Sequence, residues 1–266
     1  MTIIRLDTWD LSLAAVLVLI LAGLSFRLRL GVTSQLLVAA LRTAVQLILI
    51  GLVLKVLFAN VHLAWMLAMA TVMLLVAGRE AMARQQRRFS GLWGYGLGTL
   101  SMFVSSFAVT LLALTVMIGA KPWYTPQYAI PLLGMVLGNT MSGIALGLDR
   151  LTQGAWQQHR AIEAQLLLGF TWSEAIAATR MEGMRAGLTP IINAMAAAGV
   201  VSLPGMMTGQ ILAGSPPLEA VKYQILIMFL IAACTGFGTL MAVWSGSRRL
   251  FDERQRLRLD RLQERR

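Results

Sequence analysis

Asp149–Pro190 reads DRLTQGAWQQHRAIEAQLLLGFTWSEAIAATRMEGMRAGLTP, and it lies between two long apolar runs in a chain whose remainder is mostly hydrophobic. It carries Arg150, Arg160, Arg180 and Arg185, so the positive-inside bias assigns it to the cytoplasm. The spacing predicts two short helices. The first runs from Trp156 to Leu168 and turns Ile162, Leu166 and Leu167 to one side. The second opens at Thr171, whose hydroxyl can cap the helix while Glu174 reaches back. Trp172, Ile176 and Arg180 then recur at helical spacing, and Gly169 can take the left-handed conformation that ends the first helix.

Outward from this loop the chain is membrane-like. Its 266 residues are 57% hydrophobic and 13% charged, against about 25% charged in an average soluble domain. Seven apolar segments are expected to span: Asp10–Phe26, Gln35–Phe58, His62–Ala77, Leu97–Gly119, Tyr128–Leu148, Ala186–Leu203 and Leu218–Trp244. Each is near the roughly 20 residues that cross a bilayer. The first has no clear A-x-A cleavage site and ends at Arg27 and Arg29, so it reads as a retained span. The expectation is an all-α polytopic protein, with residues 1–266 as one transmembrane domain and residues 245–266 as a basic tail.

Charge sets the orientation. Eighteen arginines fall on one side, after spans one and three, in the 149–190 loop and in the tail, against Arg5, Lys121 and Lys222 on the other. That places the amino terminus outside and the carboxyl terminus in the cytoplasm of a cell inner membrane, which needs an odd number of spans. The tail SGSRRLFDERQRLRLDRLQERR reads as a solvated helix or a lipid-surface anchor. Without aromatics beyond Phe251, it is not read as a nucleic-acid binder.

Chemistry-bearing patterns are sparse. The single cysteine, Cys234, lies in an apolar run; His62 and His159 belong to no H-E-x-x-H pattern. Lys55, Lys121 and Lys222 follow no Walker-type glycine pair, so no nucleotide-hydrolysing site and no cofactor are expected in this chain. Span five carries Gly134-x-x-x-Gly138 and Gly143-x-x-x-Gly147, the small-residue spacing of close helix packing. Polar groups at membrane depth need partners: Asn139 and Asn193, and on one face of span two Arg42 and Gln46. Leu203-Pro204-Gly205 must interrupt a helix. Beside it Met206 and Met207 offer thioethers, as soft metal ligands or as gap-filling packing.

Glu163-Ala164-Gln165-Leu166-Leu167-Leu168-Gly169 resembles the opening of the EAA loop of ABC-transporter permeases, with Gln165 in place of the second alanine. The longer signature is Val200-Val201-Ser202-Leu203-Pro204-Gly205-Met206-Met207, then Gly209, Ile211, Ala213-Gly214 and Pro217 to Gln224. With Arg42, Gln46-Leu47 and Gly51, and with Pro131, Gly134-Met135 and Gly138-Asn139, it is similar to the FetB-type permease family. Plant aluminium-resistance permeases are similar too. The resemblance implies a membrane subunit that exports iron or another metal ion, dimerises, and docks a separate ATPase through Glu163, Ala164, Gly169, Thr171 and Glu174. Arg42, Gln46, Asn139, Asn193, Pro204, Gly205, Met206 and Met207 are then expected along one shared path. No Asp or Glu lies inside the seven segments apart from Asp10 and Glu219 at their outer ends, so no acidic proton relay is visible and energy from a partner is implied. Two alternatives stay open: export of a small organic solute such as a nucleotide sugar, and a stand-alone channel or membrane enzyme.

Overall fold

The computed structural model describes residues 7–59, 61–119 and 121–264. In chain order the helices are α1 (Thr8–Arg27), α2 (Thr33–Ala59), α3 (Leu63–Ala83), α4 (Leu92–Met102), α5 (Ala108–Leu112), α6 (Pro126–Gln157), α7 (His159–Leu167), α8 (Trp172–Ala175), α9 (Ala177–Ala197), α10 (Gly205–Leu212) and α11 (Pro217–Arg249). Two strands, β1 (Arg87–Phe89) and β2 (Leu262–Glu264), pair antiparallel. The protein is an all-α polytopic membrane protein with this one small ribbon. Contacts divide it into two compact units, Met1–His62 with Leu212–Gly214, and Leu63–Ile211 with Ser215–Arg266.

In the first unit, Asp7 caps α1 and Asp10 reaches back to the Asp7 backbone, a capping box. Thr33 at the start of α2 donates to Ser25 Oγ at 3.2 Å, tying the hairpin. Both helices are long and predominantly apolar, as membrane-crossing helices are, although α2 carries Arg42, Gln46 and Lys55.

The second unit holds the core. The fourth span is continuous over Leu92–Met117 because π-helical turns at Phe103–Phe107 and Ala113–Met117 join α4 and α5 and carry the helix onward. At its centre α6, α9 and α11 touch almost backbone to backbone. A Cβ on Gly187 would lie 2.5 Å from the Gly143 carbonyl oxygen, and one on Gly183 would lie 2.8 Å from that of Gly147. Rising numbers on α6 meet falling numbers on α9, so the two run antiparallel. Gly143 meets Thr235 and Thr239, Gly147 meets Val243, and Gly246 meets Leu148 and Leu151, so α11 runs parallel to α6. The Gly143–Gly147 spacing therefore does become packing, whereas Gly138 of the Gly134–Gly138 pair has nothing within 4 Å of a Cβ. Lipid supplies no hydrophobic drive between helices, and small residues gain dispersion contact by letting backbones approach.

Six helices among the described residues are long and apolar enough to cross a membrane. The expected sixth segment, Ala186–Leu203, is built differently. Helix α9 begins at Ala177, carries Arg180, Glu182 and Arg185, and stops at Ala197. A turn follows, in which Gly199 takes a φ of +83° and donates to the Ser202 carbonyl, before α10 starts at Gly205. From the Gly143–Gly187 register, the end of α9 at Ala197 is level with Leu133 on α6. That is about 10 Å short of the Pro126 end of α6, at 1.5 Å per residue.

The tail corrects its expectation. It is not a free helix: Leu250 and Phe251 are buried, and the chain then doubles back into a hairpin. Asp252 Oδ1 accepts from the backbone N–H groups of Arg254 and Arg256, both at 2.9 Å, and Arg258 grips Asp260 through two bonds of 2.8 Å. Strand β2 then closes on β1, which spans Arg87–Phe89 directly after α3. Interspersed acids let the arginines pair locally, so a sequence that looked like a cationic anchor folds.

Candidate functional site

The loop between α6 and α9 is shorter than its polar sequence suggests. Helix α6 runs on through Asp149 to Gln157, and α9 starts at Ala177, so only the stretch between them departs from the two long helices. The expected Trp156–Leu168 helix is instead α7, separated from α6 at Gln158. Of its three apolar residues, Ile162 is buried and Leu166 half-buried, whereas Leu167 is 89% exposed. The reason is the turn. Gly169, at φ +90°, donates to the Leu166 carbonyl and Phe170 donates to the Gln165 carbonyl, a Schellman ending. That ending satisfies the last carbonyls of α7 while lifting Leu167, Leu168 (78% exposed) and Phe170 into solvent.

Directly after it, the Thr171–Glu174 capping box forms as the sequence indicates, with the Thr171 N–H donating to Glu174 Oε2 at 2.8 Å. The Thr171 hydroxyl, then its backbone N–H, hold the Glu174 carboxyl below its ordinary range. Helix α8 lasts only four residues, because the chain leaves helical geometry at Ile176, which is fully buried. Trp172 and Arg180 therefore belong to two helices, not one.

The tail completes this platform through contacts that no local pattern in the residues signals. The Trp172 N–H, an orphan donor of the first turn of α8, bonds Gln255 Oε1 at 2.8 Å. The Trp172 ring packs on Phe251 at 5.9 Å between centroids, with the Arg248 guanidinium 5.0 Å from its own centroid. Between α7 and the tail hairpin lies an open cavity of about 720 Å³, lined by Glu163, Leu167, Phe170, Arg254, Arg256 and Leu257 among others. Glu163, Ala164, Gly169, Thr171 and Glu174 are all exposed on this platform, and Glu163 and Gly169 share the cavity. Asp149 anchors the α3–β1 connection to it by accepting from the Gln86 N–H at 2.7 Å, and Arg87 lies 4.0 Å over the Trp156 ring.

The residues expected along a path are placed as follows. Arg42 and Gln46 lie one turn apart on α2 in the first unit, both exposed. Asn139 and Asn193 are exposed on α6 and α9 in the second, at similar levels by the glycine register, and Asn139 Nδ2 donates to the Met135 carbonyl at 2.8 Å. Pro204 and the Met206–Met207 pair are half-buried around the start of α10. Carbonyls at both edges of the break are taken up. Ala197 O accepts from Val201 and Ser202, and Pro204 O accepts from Thr208 at 3.1 Å.

A further row escaped the sequence reading. Ser106 and Thr110 beside the first π-helical turn, Thr140 on α6, and Thr235 and Thr239 on α11 bury hydroxyls that have no protein partner. Cys234 Sγ joins them, 3.7 Å from the Ser105 carbonyl oxygen. Serines and threonines clustered in span four were the available signal, masked by a run that is otherwise apolar. Among the described residues, no three His, Cys, Asp or Glu side chains gather as a metal cage.

The family model described as "Uncharacterised protein family (UPF0014)" matches residues 8–251. The chain is 42% identical over 229 residues to UPF0014 membrane protein slr1647 of Synechocystis, covering 86% of this chain and 87% of that one. It is 30% identical over 254 residues, 93% of each chain, to the probable iron export permease protein FetB of Escherichia coli. It is 31% identical over 223 residues to Protein ALUMINUM SENSITIVE 3 of Arabidopsis thaliana, covering 84% of this chain and 80% of that one. No solved structure matches it.

Proposed function

This chain belongs to the UPF0014 family of membrane proteins, and from that premise we propose that it is the permease subunit of an ABC exporter, driven by a separate ATPase. One observation carries the reading: the exposed Leu167–Leu168–Phe170 edge beside Glu163, held rigid by a Schellman turn and a capping box and backed by the tail hairpin. An apolar edge of this size on a polar platform suits a partner protein. It also lies on the loop that resembles the docking segment of ABC permeases. The relative named a probable iron export permease supports a metal ion as cargo.

The topology we propose has seven crossings, with the amino terminus outside, the platform and tail in the cytoplasm, and two copies in the working assembly. The parallel run of α6 and α11 supports it: the chain must return between them, and α9 is antiparallel to both. We assign the cargo path to Arg42, Gln46, Asn139, Asn193 and the Pro204–Met207 break, the polar groups and helix break expected at membrane depth. Arg42 makes the inner mouth positive, which favours a chelated or anionic form of the metal over a bare cation.

The test is co-purification with the ABC ATPase of the same organism. Glu163→Lys and Leu168→Asp each abolish ATPase retention while leaving the permease monodisperse. Full retention by both variants would overturn the docking assignment.

A further inference from the structure

Beneath the platform, α4 and α11 leave an open groove of about 520 Å³. Its floor is largely apolar, from Leu97, Leu100 and Met241 with Ser101 and Ser245 beside them, and its mouth is made by Leu92, Trp93 and Arg249. Leu92 is 87% exposed and Trp93 is also exposed, on the first turn of α4. Arg249 is the last residue of α11, half-buried, with its guanidinium 4.5 Å from the centroid of the Trp93 ring. Arg261 bonds the Arg249 carbonyl oxygen at 2.7 Å, bringing a second cation to the same corner. Among the described residues, no carboxylate lies within ion-pair distance of Arg249, whereas Arg256 and Arg258 in the same tail are paired. The first turn of α4 adds backbone N–H groups that no side chain caps, since its N-cap is Gly91.

We propose that this groove holds one anionic phospholipid, with its phosphate against Arg249 and an acyl chain along Leu97, Leu100 and Met241. The arrangement follows the chemistry of such a molecule from head to tail: a cation and a tryptophan at the interface, then a continuous apolar trough between two membrane helices. Basic pockets between membrane helices take anionic headgroups for this reason, and tryptophan favours the headgroup level. A half-buried guanidinium beside a second cation is stabilised by a counter-charge, and the bilayer supplies one that also fills the trough. The groove shares no lining residue with the platform cavity and does not depend on the cargo.

The full chain, purified in neutral detergent and carrying Cys234→Ser, is titrated with phosphatidylglycerol, phosphatidylcholine or inorganic phosphate while its thermal unfolding is followed. Phosphatidylglycerol protects, and neither of the others does. Arg249→Gln weakens that protection about fivefold, the worth of one arginine near an anionic headgroup. Arg248→Gln, which removes the cation on Trp172, leaves it within twofold. Should Arg249→Gln not fold, Leu100→Trp fills the trough with Arg249 in place and also removes the protection. Equal protection by phosphatidylcholine, or protection by inorganic phosphate alone, overturns the proposal. So does efficient disulfide formation between copies through Leu100→Cys, which would make the groove a permease–permease contact.

Discussion

Gly187→Ala is the sharpest perturbation that the helix packing permits. Alanine in a helix interior is better than glycine by about 1 kcal/mol, so on an unencumbered face the change stabilises. At Gly187 the new Cβ would lie 2.5 Å from the Gly143 carbonyl oxygen and 2.5 Å from Thr239 Cγ2, where ordinary contact begins near 3.4 Å. A rotamer change relieves only the threonine. The carbonyl is backbone in the middle of α6, so α6 and α9 must part by several tenths of an ångström along the whole crossing. Overpacking of this kind costs about 1–3 kcal/mol, which offsets the propensity gain and leaves a net loss of up to roughly 2 kcal/mol. Gly138→Ala is the matched control, on α6 with nothing within 4 Å of its new Cβ, and it gains up to about 1 kcal/mol. Reversible unfolding in mixed micelles separates the two signs. Thr239→Ala added to Gly187→Ala recovers only part of the loss, because the backbone contact persists. Equal stabilisation by Gly187→Ala and Gly138→Ala, or full recovery with Thr239→Ala, would refute the reasoning.

Topology is read by labelling single cysteines after Cys234→Ser: Thr8→Cys reacts with an impermeant maleimide from outside and Glu253→Cys does not, and reaction at both sinks the seven-crossing arrangement. Glu253 serves because it is exposed in the tail hairpin, whereas Ser247 is buried. The hairpin is also acid-sensitive. Arg258 holds the Asp260 carboxyl down to about 2, and the Arg256 backbone N–H and guanidinium hold that of Asp252 below its ordinary value. Carboxyls depressed in the folded state contribute fully above the unfolded value near 3.8 and lose that contribution as pH falls toward 2. Protease cleavage of the tail therefore rises across that window, and a rise above pH 5 instead would assign the hold to other groups. Gln255→Ala removes the acceptor of the Trp172 N–H, so hydrogen exchange at Trp172 accelerates while the spans are unchanged; unchanged exchange would show that the tail does not order α8. Finally, Gln46→Leu with Asn139→Leu impairs transport at normal expression and ATPase retention, and normal transport by the double variant removes both amides from the path.

Short-range signals were legible in the residues themselves. Hydropathy and length indicated membrane helices, since every spanning segment must bury its own backbone bonds in hydrocarbon. The Thr171–Glu174 capping box and the left-handed Gly169 were readable because both are closed within a few residues. An interruption ahead of Gly205 was legible too, although α9 already ends at Ala197 and Pro204–Gly205 open α10 instead of breaking a helix. Tertiary structure alone decided which of Leu166 and Leu167 turned inward, because the Schellman ending fixes the rotation of the last turn and nothing in a run of leucines does. It alone revealed that the arginine-rich tail folds back through Phe251 and Gln255 onto Trp172, contacts 83 residues apart in one case that no local pattern encodes. The same holds for the direction of α9 against α6 and α11. Glycine spacing marks a face for close approach, but the partner glycine and the sense of the crossing are set only when two backbones meet in space.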